Sequence, residues 1–451
     1  MNTVEIAEHA LDHAGPDSLA LVTRERSLLL RFARNVPTQA TAVDDLTVEL
    51  AVLRSGHVGR AATNSIEDES LAACSGRAAA AANAAAAAAG RGSFPGFPAP
   101  VPPPAHHGYD RVTAQLDPEP GGAALTAVFG RAAEAGVEAH GVWSTGEVEY
   151  AVATSDGAEG DRVTDAFLKV VCIAPSGRSG FASAAAVAAA GLDANALSAR
   201  AAGKAVAGDE PAELAPGEYP VVFAPQAVGT LLDMLGATAF NGLAHTEGRG
   251  ALSHRLGRRV ATPAVNLADS PRFAAGLPRP FDAEGTTKRP LPLIQEGIAH
   301  RVVHDIRSAA LAGTESTGHA LAPGGDANGP HPTNLVLAGG GAADEEELCA
   351  PIERGVYVTR LWYENVIRPK ETLVTAVTRD GTFLIEDGRV SRPLRDLRLT
   401  ESLLAIFSSV EALTSRQQLV SDGEFYGRRF AYGVVCPALR AGSARFTDAA
   451  G

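Results

Sequence analysis

Apolar residues recur at helical spacing at Val4, Ala7, Leu11 and Ala14, and Gly15 follows, so a short helix is expected at the start of the chain. β-rich runs come next. Residues 18–23 and 28–33 flank the charged triplet Arg24-Glu25-Arg26, and residues 46–53 and 59–63 flank Ser55-Gly56-His57. Both pairs predict antiparallel hairpins. The stretch 71–89 has eleven alanines in the twelve positions 78–89, and alanine is the strongest helix former, so it predicts a helix. Residues 94–107 carry Pro95, Pro98, Pro100 and Pro102 to Pro104, the pattern of an extended connector. Residues 125–135 predict a helix, residues 137–144, 147–155 and 166–172 predict strands, and the Ala-rich stretch 180–207 predicts another helix.

The acidic, Pro-containing stretch 208–218 divides the chain into expected domains 1–210 and 211–451. In the second, residues 220–223 predict a strand. Residues 225–240 predict a helix with Val228, Leu231, Leu232, Leu235 and Ala239 along one face. The remainder is rich in Gly, Pro and β-forming segments. Residues 293–306 align without gaps to residues 384–397. Each copy predicts strand, acidic–Gly turn and strand, through Glu296-Gly297 and Asp387-Gly388. Helices and hairpins first, then mostly strands, predict an α+β fold with a β-rich, barrel- or sandwich-like second domain.

Composition narrows the partners. The 451 residues are 45% hydrophobic, 20% charged and 5% aromatic, enough apolar material for a sizeable core. With 39 Lys+Arg against 52 Asp+Glu the formal net charge is -13, which disfavours nucleic acid and anionic membrane as partners. No apolar run is long enough to span a bilayer. Glu5, Glu8, His9 and Asp12 stand where an export signal has its apolar run. Cys74, Cys172, Cys349 and Cys436 are widely separated, which excludes a CxxC motif and predicts separate thiols in a reducing, cytoplasmic setting.

Candidate chemistry is sparse. His300 and His304 would share a face only on a helix. The hairpin pattern puts them on extended chain, where four residues cover about 13 Å, too far for one zinc with ligands at about 2 Å. His245, Glu247 and His254 lie in a Gly-rich stretch and converge only if that loop folds back on itself. Gly339-Gly340-Gly341 follows an apolar strand but leads into Asp344-Glu345-Glu346-Glu347, which repels phosphate and suits a helix start. The Gly-x-Ser-x-Gly elbow of serine hydrolases is absent, and Ser316-Thr317-Gly318-His319 reads as a loop.

Five segments carry a family resemblance: Phe281-Asp282-Ala283-Glu284-Gly285 leading to Leu293-Ile294-Gln295-Glu296-Gly297; Ser316-Thr317-Gly318; Pro332-Thr333-Asn334-Leu335; Gly355-Val356-Tyr357-Val358-Thr359; and Phe383-Leu384-Ile385-Glu386-Asp387-Gly388. In order and spacing they resemble the TldD/PmbA metallopeptidases, also called the modulator of DNA gyrase family. TldD-type subunits of that family carry His-Glu-x-x-x-His on a helix, two imidazoles for zinc and a Glu to take a proton from the bound water. By this resemblance Asp233 stands at the first His, Met234 at the Glu and Thr238 at the second His. A thioether is no base and a hydroxyl is a poor zinc ligand, so no catalytic or metal-binding residue transfers to this chain. Cys436 reads as part of a late strand and not as a further ligand.

The departure resembles the PmbA (TldE) type, the subunit without zinc. The resemblance then implies no cofactor in this chain, zinc in a TldD-type partner of a heterodimer, and unfolded or extended peptides as substrate. A strand-rich wall suits that substrate, because an exposed strand edge pairs with any backbone. Two other functions stay open. One is a non-enzymatic peptide-binding homodimer. The other is a stand-alone hydrolase with a relocated site at His245, Glu247 and His254.

Overall fold

The structure, a computed structural model, describes residues 1–207, 210–421 and 427–448. Gly208 and Asp209, in the expected domain-boundary stretch, lie outside the described residues.

The first half builds one antiparallel sheet under four helices. Its elements are α1 (Thr3–Asp12), β1 (Ser18–Ala33), β2 (Val36–Arg54), β3 (His57–Thr63), α2 (Asp68–Ala89), α3 (Glu119–Glu134), β4 (Glu138–Thr154), β5 (Gly157–Ile173), β6 (Ser179–Ala186) and α4 (Ala194–Val206). The six strands run in the order β3-β2-β1-β4-β5-β6. Alternation sorts the two faces. Ala20 and Val22 of β1, with Ala151 and Ala153 of β4, pack beneath α1 and α2. Leu19, Leu21, Tyr150 and Val152 point the other way, onto Leu277, Phe281 and Val435 of the second half. The Ala-rich α2 sits close on β3 because its contact residues are small. A Cβ at Gly59 would stand 2.1 Å from the Ala78 carbonyl oxygen.

Three expectations are corrected here. Residues 24–26 are no turn; β1 runs straight through them. Arg24 pairs across to Asp44 and Arg26 to Glu147, while Glu25 is buried and accepts from Ser27 and from the Arg429 amide. Glu138–Thr154 likewise form one strand where two, 137–144 and 147–155, are expected. The predicted helix 180–207 begins as strand β6 and turns helical only at Ala194. Pairing with β5 along Ala166–Ile173 overrides alanine's helix propensity.

The second half contains β7 (Gly217–Phe223), α5 (Pro225–Ala239), α6 (Gly242–Thr246), β8 (Leu267–Asp269), β9 (Leu291–Gln295), β10 (Ile298–Ala299), α7 (Ile306–Ala312), β11 (Leu335–Leu337), α8 (Glu345–Cys349), β12 (Arg354–Arg368), β13 (Leu373–Glu386), β14 (Arg389–Pro393), β15 (Leu397–Ser402), α9 (Leu403–Ser408), β16 (Val410–Val420) and β17 (Val434–Asp448). These strands form one eleven-stranded sheet. Because β17 pairs with both β15 and β7, strands β7, β12, β13, β15 and β17 close on themselves as a small barrel. The α+β class and the β-rich second half therefore hold. Both repeat hairpins form, β9–β10 and β13–β14. Their turns place Glu296 and Gly297 at φ 48° and 74°, and Asp387 and Gly388 at 48° and 79°, the left-handed pair a two-residue hairpin needs. The first copy leaves the sheet after Ala299, and Asp305 then caps α7. Among the described residues no helix is long and apolar enough to cross a membrane.

Candidate functional site

The helix α5 follows β7 directly, with Pro225 in its first turn. It is apolar nearly all round, and the barrel strands β12 and β17 pack against it. That position fixes where Asp233, Met234 and Thr238 face. Asp233 and Met234 line a cleft of about 220 Å³ between the two sheets, with Phe181 and Ser183 of β6 on one wall and Arg360 and Trp362 of β12 on another. Asp233 remains 40% exposed. Its Oδ1 lies 3.2 Å from His331 Nε2 and accepts from the Tyr432 hydroxyl at 3.4 Å. Thr238 is buried one turn further on, where its hydroxyl donates to the Met234 carbonyl oxygen at 2.8 Å.

This donor set does not fit a hydrolytic zinc. Such a site needs three strong protein ligands and a base beside the bound water. The helix offers one carboxylate, a thioether and a hydroxyl turned onto its own backbone. His331 adds an imidazole, and no third His, Cys, Asp or Glu joins it and Asp233 among the described residues. Sequence reasoning missed His331, which lies 98 residues from Asp233. What the cleft does offer is an aromatic and cationic wall. Arg360 stacks on Phe181 at 4.4 Å and on Trp362 at 5.1 Å, and its guanidinium pairs with Asp380. On the opposite wall, edge strand β6 presents the Ser183 carbonyl, which accepts from Gln226 and Gln418 at 3.4 and 3.2 Å.

The other sequence candidates lie apart from the cleft. His245 is half-buried on α6, where burial and then the nearby His254 push its pKa down. Glu247 is exposed and pairs with Arg249, and His254 is exposed, so the three do not gather around one point. His300 is exposed and His304 is buried against Ser308 at 3.2 Å, on irregular chain before α7. All four cysteines are buried and unpaired. Burial pushes the thiols of Cys172 and Cys349 up to about 11 and about 12, far from a reactive thiolate.

A buried polar network lies deeper in the second half. The Lys288 ammonium donates to Thr333 Oγ1 at 2.8 Å and Asn334 Oδ1 at 2.7 Å, and lies 3.1 Å from Asp269. His319 Nε2 stands 3.2 Å from the same carboxylate oxygen. Burial pushes the Asp269 carboxyl up, but the Lys288 charge and His319 outweigh it and hold it well below the usual range. Asp282 accepts from the amides of Glu284, Thr286 and Ala320.

A model of the PmbA/TldA metallopeptidase C-terminal domain matches residues 216–448, more than half of the chain. The chain belongs to the TldD/PmbA family. Over 200 residues it is 25% identical to a metalloprotease of Methanothermobacter thermautotrophicus, covering 44% of this chain and 43% of that protein. Over 204 residues it is 22% identical to a metalloprotease of Methanocaldococcus jannaschii, covering 45% of each. The match thus spans less than half the length of these curated relatives. The fold extends further. TldE from Thermococcus kodakarensis superposes with a TM-score of 0.84 at 19% identity, covering 98% of this chain and 99% of that one. A Thermotoga maritima protein assigned as a modulator of DNA gyrase gives a TM-score of 0.83 at 20% identity, covering 98% and 99%. Three of the TldD/PmbA-like segments in the sequence supply Asp282, Thr317, Thr333 and Asn334. These build the buried network and its surroundings and do not line the cleft.

Proposed function

We propose that this chain is the zinc-lacking subunit of a two-component TldD/TldE-type metallopeptidase acting on unfolded or extended peptides. The observation that carries this is the donor set on α5: Asp233, Met234 and a Thr238 hydroxyl spent on its own helix. In this reading a TldD-type partner holds zinc and cuts the peptide. This chain closes the shared cavity, and its cleft between β6 and β12 helps admit the substrate backbone. Beside the cleft, the outer part of β12 leaves Trp362, Tyr363, Val366 and Ile367 exposed, an apolar strip suited to a partner surface. Four separate buried thiols accord with a reducing cytoplasm.

The test is peptidase activity of the purified chain alone, of a zinc-bearing TldD-type homologue from the same genome, and of the two mixed, on a denatured protein. Cleavage that requires both and stops with EDTA supports the reading. Cleavage by this chain alone that EDTA abolishes overturns it, as does peptide binding with no cleavage in any combination.

A further inference from the structure

Away from the cleft, three side chains converge on the helix layer of the first sheet. His9 lies in the last turn of α1 and His13 is its C-cap. Four residues apart, they share one face, with ring centroids 5.3 Å apart and planes at 84°. Asp68, the first residue of α2, comes to meet them. Its Oδ1 lies 3.1 Å from His9 Nε2 and 3.3 Å from His13 Nε2. Among the described residues this is the group of His, Cys, Asp or Glu whose ligand atoms all fall within 4.8 Å of one another.

The spacing matches a coordination edge. Two ligands at about 2.05 Å from a tetrahedral zinc stand about 3.3 Å apart. Accessibility agrees, since the Asp68 side chain is 78% exposed and those of His9 and His13 are 32% and 23% exposed. His9 and His13 stand at the C-terminal end of α1, whose dipole favours a cation, and Asp68 stands at the N-terminal end of α2, whose dipole opposes one, so the three side chains themselves must carry the binding. The two helices already share a core, with Ile6, Ala7 and Ala10 in one cluster with Leu71, Cys74 and Ala78. An ion held by all three residues therefore bridges elements that pack together without it.

We propose that His9, His13 and Asp68 bind a divalent transition-metal ion, zinc by their nitrogen and oxygen donors, with water completing the coordination, and that the ion clamps α1 to the start of α2. The site is separate from the cleft and independent of any peptidase role.

The experiment strips the full-length chain with EDTA and titrates it with zinc chloride by calorimetry, with melting followed in parallel. Wild type is expected to bind zinc and to melt at a higher temperature with it. The H9Q/H13Q double variant is expected to lose that binding and that shift. Loss of even an outer-shell partner weakens metal sites by about 10–100-fold, so the exposed Asp68→Asn is expected to weaken binding by more than about tenfold. D68N also keeps the test decisive if the double variant misfolds. H245Q/H254Q is expected to bind zinc as wild type does. No zinc uptake by wild type overturns the proposal. So does uptake that survives in both H9Q/H13Q and D68N, or uptake that disappears only in H245Q/H254Q. Zinc lost with His9 and His13 lies outside the cleft and leaves the reading of α5 to its own peptidase assay.

Discussion

Asp233 on α5, which lines the cleft, pairs directly at 3.2 Å with His331 on the loop before β11. The pair is a polar contact at a surface, with the carboxylate 40% exposed. If it takes no part in bond breaking, Asp233→Ala and His331→Ala leave cleavage by the two-subunit assembly within about threefold, the scale of an exposed pair worth under about 1 kcal/mol. Outer-shell partners of a working metal cost about 10–100-fold when removed. Initial rates on a denatured protein distinguish the two, and a loss on that larger scale would place the chemistry in this chain.

Lys288 sits in the opposite situation. Its ammonium and the Asp269 carboxylate are both 0% exposed, and burial pushes the Lys288 pKa down while Asp269 opposes the shift. Breaking such a pair strands one charge, so Lys288→Met is expected to cost about 3–5 kcal/mol in urea unfolding. Adding Asp269→Asn removes the stranded charge and is expected to restore part of that loss. A K288M chain as stable as wild type contradicts the account.

Glu284 is fully buried; its Oε2 accepts from the Ile306 amide, and its Oε1 makes no hydrogen bond of good geometry among the described residues. Burial first, then the neighbouring Asp282 and Asp305, raises its pKa well above 4.5. The folded chain therefore holds a proton there more tightly than the unfolded chain. That contribution to stability is complete below pH 4.5 and is lost as pH rises toward the folded value. Glu284→Gln keeps the shape of the neutral acid without the titration. Unfolding free energies at about pH 5 and about pH 8 should show the variant gaining on wild type at the higher pH. A difference independent of pH counts against a protonated Glu284.

Tyr363 and Ile367 lie on the exposed outer part of β12, 71% and 48% accessible. If that strip meets the partner, Tyr363→Ser with Ile367→Ser weakens association by more than about tenfold, the scale of an interface hot spot. The melting temperature of the chain alone should not change. Sedimentation of the mixed subunits measures the first and calorimetry the second, and unaltered association moves the partner surface elsewhere.

Much of the local structure was legible because its causes are local. Ser55-Gly56 and Asp387-Gly388 mark hairpin turns since both positions of each need positive φ, and the structure has them at 50° and 77°, and at 48° and 79°. Asp344 before three glutamates marks a helix start, and its side chain caps the Glu347 amide at 2.9 Å. The apolar face of α5 was equally plain. Residues 24–26 misled because their charges resemble a turn, whereas the partners that keep them in a strand, Asp44, Glu147 and Arg429, come from distant parts of the chain.

Residue types along the chain were enough to establish the α+β class, the hairpins at Ser55-Gly56, Glu296-Gly297 and Asp387-Gly388, and the donor types that Asp233, Met234 and Thr238 bring to α5, because propensity and turn geometry belong to short segments. Tertiary structure alone placed His331 beside Asp233, Asp68 beside His9 and His13, and β6 in a sheet despite its alanines. Those outcomes depend on packing between segments far apart in sequence, where burial and strand pairing outweigh local preferences of a few tenths of a kcal/mol per residue.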